Sequence, residues 1–227
     1  GYALIFSLTS IVFTFPNRLE DYFYTYLSKL VSQDNKLFSK KYVQFQNIFS
    51  IMSAIPLTLW IVLAPALVPL VFGQDYFDFV YISYFMSIFF IMKSLNFVRR
   101  VFYIYDKSHN LMKIGLIKYI FEFLGYIFLT PLLGLNGVLI SLILSQGLYT
   151  LLLFKNVQPF LTLSLKDIIR LSFICMFFIV NTLILYFCKL NNFDILFWVM
   201  IFANFCAYGG LLYTMKEKGY LDISASI

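Results

Sequence analysis

Charge is scarce in this sequence: Asp, Glu, Lys and Arg make up 12% of its 227 residues, about half the share usual in soluble proteins. A soluble domain of this length needs polar surface that the chain does not have, which disfavours soluble enzymes and nucleic-acid readers. Histidine occurs once and cysteine three times. Cys175, Cys188 and Cys206 lie inside apolar runs, without C-x-x-C spacing or a neighbouring His. That pattern offers neither a metal site nor a disulfide framework, so the three read as small core residues. No basic stretch or A-x-A cleavage site accompanies the first apolar run, so it is not a signal peptide. The chain opens Gly1-Tyr2-Ala3, already inside that run and without Met, and the expectation is a fragment that begins within a spanning helix. Catalytic patterns are missing as well. The sequence shows no phosphate-binding Gly loop, no nucleophile elbow and no H-E-x-x-H. The expectation is a protein that is not an enzyme and needs no cofactor or metal.

What the chain has instead is apolar residues, 61% of the total, gathered into long runs with little or no charge. Runs of about 20 such residues are the mark of bilayer-spanning helices. The sequence predicts an all-α, polytopic membrane protein with seven spans: Tyr2–Phe15, Phe45–Phe72, Phe79 to Val98, Leu111–Thr130, Leu132–Phe154, Leu171–Cys188 and Ile195–Met215. The second would reach about 42 Å as a straight helix, so it must tilt, kink or protrude, and Pro56, Pro65 and Pro69 supply kink positions. Basic residues alternate strictly between connections. Arg18, Lys29, Lys36, Lys40 and Lys41 follow the first span, Arg99, Arg100, Lys107 and Lys113 the third, and Lys155, Lys166 and Arg170 the fifth; Lys216 and Lys218 lie in the tail. The connections after the second, fourth and sixth spans carry almost none. By the positive-inside rule the basic connections and the C-terminus are cytoplasmic.

Two stretches have further patterning. Leu19, Phe23, Tyr26 and Leu30 recur at helical spacing, which predicts that the first span continues beyond Pro16 as an amphipathic helix, packed on the protein or lying at the membrane interface. Ser32-Gln33-Asp34-Asn35 is a turn, with Asp34 or Asn35 able to cap the following helix. Gly137, Ser141 and Ser145 stand four residues apart, a spacing that lets helices approach closely in lipid. Ala203 and Ala207 allow the same reading.

Ionisable groups inside spans are functional candidates by default. Lys118 lies about 10 Å and Glu122 about 16 Å from Leu111 along the fourth span, within a hydrocarbon core about 30 Å thick. Their spacing puts them on one helix face, able to pair. They line a cavity that handles an anionic head group or couples an ion, or they form a structural pair. Arg99 and Arg100 are either a membrane anchor or a basic entrance for phosphate head groups, which Arg suits through bidentate bonding. Lys93 lies deeper and can snorkel. His109 is expected to be solvated, and Asp75 and Asp78 to lie at the outer surface.

The order of these features resembles the multidrug/oligosaccharidyl-lipid/polysaccharide exporter superfamily, and within it the bacterial polysaccharide flippases of the O-antigen or capsule type. The resemblance rests on Phe15-Pro16 closing a span, the turn Ser32-Gln33-Asp34-Asn35-Lys36, basic Lys40-Lys41, and Pro56 inside the next span. It continues with Val71-Phe72-Gly73-Gln74-Asp75-Tyr76, similar to the family's Phe-Gly-x-x-Tyr, and Thr130-Pro131-Leu132-Leu133-Gly134-Leu135-Asn136-Gly137, similar to its Pro-x-x-Gly-x-x-Gly. It implies that residues 1–155 form most of the C-terminal lobe of a two-lobed transporter with 12–14 helices, and that 156–227 add two transmembrane helices. It further implies alternating access in the bacterial cytoplasmic membrane. The partners implied are a polyprenyl-diphosphate-linked oligosaccharide, membrane lipids and the missing N-terminal lobe, with no role for nucleic acid. Lys118, Glu122, Arg99 and Arg100 are the candidate substrate-binding residues. Two alternatives stand beside this: a drug/cation antiporter of the same superfamily, and an integral-membrane glycosyltransferase or polymerase, which would need a sizeable outward loop carrying catalytic polar groups.

Overall fold

The structure, a computed structural model, describes residues 2–31, 35–161, 165–190 and 194–217. Every regular element among them is helical: α1 (Tyr2–Leu30), α2 (Asn35–Phe72), α3 (Tyr81–Ser94), α4 (Arg99–Ile104), α5 (Ser108–Leu133), α6 (Leu135–Val157), α7 (Leu165–Leu190) and α8 (Asp194–Glu217). Short 3₁₀ segments precede and follow α3. Among the described residues, four helical runs are long and apolar enough to cross a membrane: Lys36–Phe72, Tyr81–Ile104, Ser108–Leu133 and Leu135–Val157. Tyr2–Thr14, Cys175–Phe187 and Ile201–Leu211 are shorter apolar stretches.

The long α1 bears out its periodicity. It runs through Pro16 without a break, and beyond it Phe23, Leu27 and Leu30 are buried. Phe23 stacks on Phe45 of α2, with ring centroids 4.4 Å apart and planes 3° from parallel. The amphipathic continuation therefore packs on α2 and does not lie apart at an interface. The turn read at Ser32–Asn35 falls on 32–34, outside the described residues.

Helix α2 begins at Asn35, directly after the turn read from the sequence, and so runs ten residues ahead of the apolar stretch that starts at Phe45. The residues of this first stretch pack on the core. Phe38 and Tyr42 are buried, Tyr42 stacks on Phe97 at 5.7 Å, and Gln46 is buried with both ends of its amide bonded. Its Nε2 donates to the Ser94 carbonyl at 3.0 Å. Ser94 is where α3 gives way to the tighter 3₁₀ segment Leu95–Val98, a change of winding that leaves a carbonyl in need of a donor. The chain then re-enters α-helix as α4, so the helical run ends at Ile104 and not near Val98. Tyr105 closes it, donating to the Phe160 carbonyl at 3.4 Å, and burial raises its phenol pKa above the usual value.

Helices α5 and α6 form a close hairpin. Gly134 turns the chain with φ +57 and ψ −133, a conformation that side chains beyond hydrogen rarely adopt. A Cβ on Gly137 would stand 2.3 Å from the Leu129 carbonyl oxygen, and one on Gly125 2.7 Å from Ser141 Oγ. The expected small-residue contact at Gly137 and Ser141 is thus present. Ala203 is exposed and makes no such contact.

Helices α2 and α3 lie at the centre, with α1, α6 and α7 packed around them; α5 leans mainly on α6, and α8 on α7 and α2. Cys175 is buried against α3, its Sγ 3.7 Å from the Ile91 carbonyl. Cys206 is exposed, which corrects its reading as a core residue: it lies on the face of α8 turned away from α7. The side chain of Cys188 falls outside the described residues. His109, Asp75 and Asp78 are exposed.

Candidate functional site

The candidate charged residues form two clusters, one joining α1 to α4 and one on the α5–α6 hairpin, with Lys93 on α3 between them.

The first cluster joins α1 to the start of α4. Glu20 lies one residue beyond Leu19 on the packed side of α1, and its side chain is only 6% exposed. It accepts from Arg99 Nη2 at 3.0 Å and Nε at 3.2 Å, and from Arg100 Nε at 2.7 Å. Arg100 Nη2 also donates to Asp21 Oδ1 at 2.5 Å, and its guanidinium lies over the Tyr24 ring. One buried carboxylate thus accepts from two guanidinium groups, the strong, charge-assisted kind of hydrogen bond. Arg99 and Arg100 are thereby turned inward onto α1. Glu20 and Asp21 were not among the sequence candidates. The available signal was an acidic pair on the packed stripe of an amphipathic helix, set against a consecutive arginine pair elsewhere.

The second cluster belongs to the α5–α6 hairpin. Lys118 Nζ lies 3.3 Å from Glu122 Oε2, and both side chains are about 15% exposed. The four-residue spacing therefore does make an ion pair. Glu122 also accepts from Tyr126 OH at 2.7 Å and from Ser145 Oγ at 3.1 Å. The Lys118 ammonium lies 4.9 Å from the Tyr119 ring centroid and 6.0 Å from that of Tyr149. Ser145 is thus both a packing residue and a ligand of the carboxylate, and close approach at Gly137 and Ser141 is what brings it within reach. If Lys118 turns to another anion, Glu122 keeps two hydroxyl donors.

Lys93, on α3, lies between the clusters. Its ammonium is 5.5 Å from the Phe90 ring centroid and 6.0 Å from that of Phe13 on α1. It is within electrostatic reach of Arg99, Glu20 and Lys118. Glu122 in turn is within reach of Tyr2 on α1. Helix α3 packs against α1 and α6, and α5 packs against α6, so Lys93 on α3 stands between the Glu20 cluster of α1 and the Lys118–Glu122 pair of α5. Of the four sequence candidates, Lys118 and Glu122 touch each other, Arg99 and Arg100 share Glu20, and the two pairs remain separate. No protein-family model, curated protein or solved structure matches the chain.

Proposed function

We propose that this chain forms the C-terminal lobe, with seven spans, of a transporter that flips a lipid-linked oligosaccharide from the cytoplasmic to the outer leaflet by alternating access. The observation that supports it best is the grouping of Lys93, Lys118, Glu122, Arg99 and Glu20 on one face between long apolar helices. Charge retained in such surroundings costs roughly 2.5–3.5 kcal/mol per group if left facing lipid, so a face that gathers it suits a polar cargo. Arginine and lysine suit the diphosphate, and the tyrosine hydroxyls of Tyr2, Tyr126 and Tyr149 suit sugar. The Lys118–Glu122 pair opens for phosphate and closes after release, with Tyr126 and Ser145 holding the carboxylate meanwhile. The connections at Gly73–Val80 and Gly134 are short, which disfavours an enzyme that needs a large outward catalytic loop.

The orientation is tested by cysteine labelling. In intact cells, cysteines placed at Lys40, Lys107 and Lys216 are expected to resist an impermeant thiol reagent, and cysteines at Gln74 and Asn136 to react. The reverse pattern overturns the topology.

The activity is tested in cells lacking the full gene, which should build lipid-linked repeat units but retain them inside. Failure to build them at all favours a glycosyltransferase or polymerase. Re-expressed Lys118→Leu/Glu122→Leu protein should reach the membrane, because an apolar pair strands no charge. Its export should fall about tenfold or more, the scale of one lost charge-assisted contact. Normal export by this variant would leave the pair as packing alone.

A further inference from the structure

Helix α1 packs on α2 and α3, whereas α4 packs on the α5–α6 hairpin. The joint between α1 and α4 is made chiefly of long side chains: Arg99 and Arg100 reach Glu20, and Arg100 also reaches Asp21. Such a joint can part without unpacking either helix. Its charges are graded in exposure, with Glu20 buried, Arg99 and Arg100 half-buried and Asp21 exposed. Two carboxylates meet two guanidinium groups, so the cluster is neutral as a whole. Closing it takes the Glu20 carboxylate out of water, a cost that opposes the gain from its charge-assisted bonds. That opposition narrows the gap between the closed and open forms. A pivot lies beside the cluster. Over Leu95–Val98 the winding tightens to 3₁₀, a change that often marks a hinge. Phe97 there is buried, stacked on Tyr42 at 5.7 Å and edge-on to Phe23 at 6.3 Å, which pins the segment to α1 and α2. Past it, the end of α4 meets α2 through the edge-on rings of Tyr105 and Phe38, again side chains and not backbone.

We propose that Glu20, Arg99 and Arg100 form a reversible latch, and that α4 swings away from α1 about Leu95–Val98 when the latch opens, while the rest of the bundle stays folded. In the closed form the two guanidinium groups share the buried carboxylate. In the open form Glu20, Arg99 and Arg100 are hydrated. Asp21 and the Tyr24 ring hold Arg100 at the rim, so Arg100 is the last contact to part and the first to form again. The latch does not depend on the transport reading, which export in cells judges separately. On that reading it closes one end of the path.

The test uses the purified full-length protein in lipid nanodiscs, with its native cysteines replaced by alanine. Spin labels are placed by Thr25→Cys on α1 and Tyr103→Cys on α4, both exposed positions, and their separation is read by pulsed electron resonance. Glu20→Gln should populate a longer separation and lower the closed-to-open ratio about tenfold or more, the scale of one lost charge-assisted bond. Asp21→Asn should lower it less, as an exposed partner does. A control pair, Thr25→Cys with Leu37→Cys on α2, should keep its separation throughout, because α1 and α2 are packed together. One and the same α1–α4 separation in the parent and in folded Glu20→Gln overturns the latch and leaves a static tie. Lengthening of both label pairs together also overturns it, since the helices then part as a whole. A second measurement keeps Glu20 in place. Raising the salt from about 0.01 M to about 1 M shortens the reach of a charge from about 30 Å to about 3 Å, and should move the population toward the open form. A ratio indifferent to salt overturns the proposal.

Discussion

Replacing Glu20 with leucine is expected to lower the melting temperature of the purified protein more than any other single change of charge. The substitution leaves Arg99 and Arg100 without the carboxylate that accepts from both. Removing one partner of a buried pair costs about 3–5 kcal/mol. The side chains of Arg99 and Arg100 keep 36% and 22% exposure, so the lower end, about 3 kcal/mol, applies here. Glu20→Gln should fall between wild type and Glu20→Leu, because the amide oxygen still accepts one guanidinium hydrogen bond. Asp21→Asn should cost at most about 1 kcal/mol, as exposed pairs do, since Asp21 is 60% exposed. Replacing Glu20, Arg99 and Arg100 together by apolar residues should recover most of the loss. Thermal scans in detergent read all four. Equal melting of Glu20→Leu and Asp21→Asn would show that the buried carboxylate carries no special weight.

The second large effect is expected at Gly137. Alanine there places a methyl group 2.3 Å from the Leu129 carbonyl oxygen, and backbone on the facing helix cannot swing aside as a side chain can. The hairpin must open, at a cost of about 1–3 kcal/mol for overpacking. The separation also draws Ser145 away from Glu122. Gly137→Ala should therefore lower the melting temperature by several degrees and make the Lys118–Glu122 pair easier to disrupt. A useful contrast is Gly115→Ala, on the same hairpin, where an added Cβ meets nothing within 4 Å and helix propensity favours alanine by up to about 1 kcal/mol. Loss of stability in both variants alike would contradict the close-packing account.

How much of this was legible in the sequence depended on which force decided each feature. Hydropathy and helical period give the long apolar helices, because their burial in lipid or protein depends on composition alone. They place the ends of α5 and α6 to within a few residues. The turn chemistry at Ser32–Asn35 marks the start of α2, whereas hydropathy alone begins only at Phe45, because Lys36, Ser39, Lys40, Lys41 and Gln44 break the apolar run. Packing of Phe38 and Tyr42 overrides that break, since a helix continues wherever enough of its surface finds a partner. The Lys118–Glu122 pair was legible because both residues share one helix, whose geometry fixes their distance. The partners of Arg99 and Arg100 were not, because Glu20 is brought to them by the crossing of α1 over the end of α3, a tertiary event that leaves no spacing in the chain. Lys93 carried a signal, charge in an apolar run, but its lack of a carboxylate emerges only when its neighbours are known.

The 3₁₀ segment Leu95–Val98 also fixes a rotational phase. Four residues wound at three per turn advance about 80° further than the same four in an α-helix. Counted from Lys93, the tighter winding sets Arg99 about 40° to one side of the lysine's line and Arg100 about 60° to the other, so the two guanidinium groups straddle a single acceptor on α1. With α winding throughout, Arg99 would stand about 120° away and only Arg100 would aim at that acceptor. The same four residues also lengthen the run by about 2 Å. Rewinding this one turn as α-helix would therefore be a screw operation, coupling a shift along the axis of α4 to the loss of one guanidinium contact with Glu20.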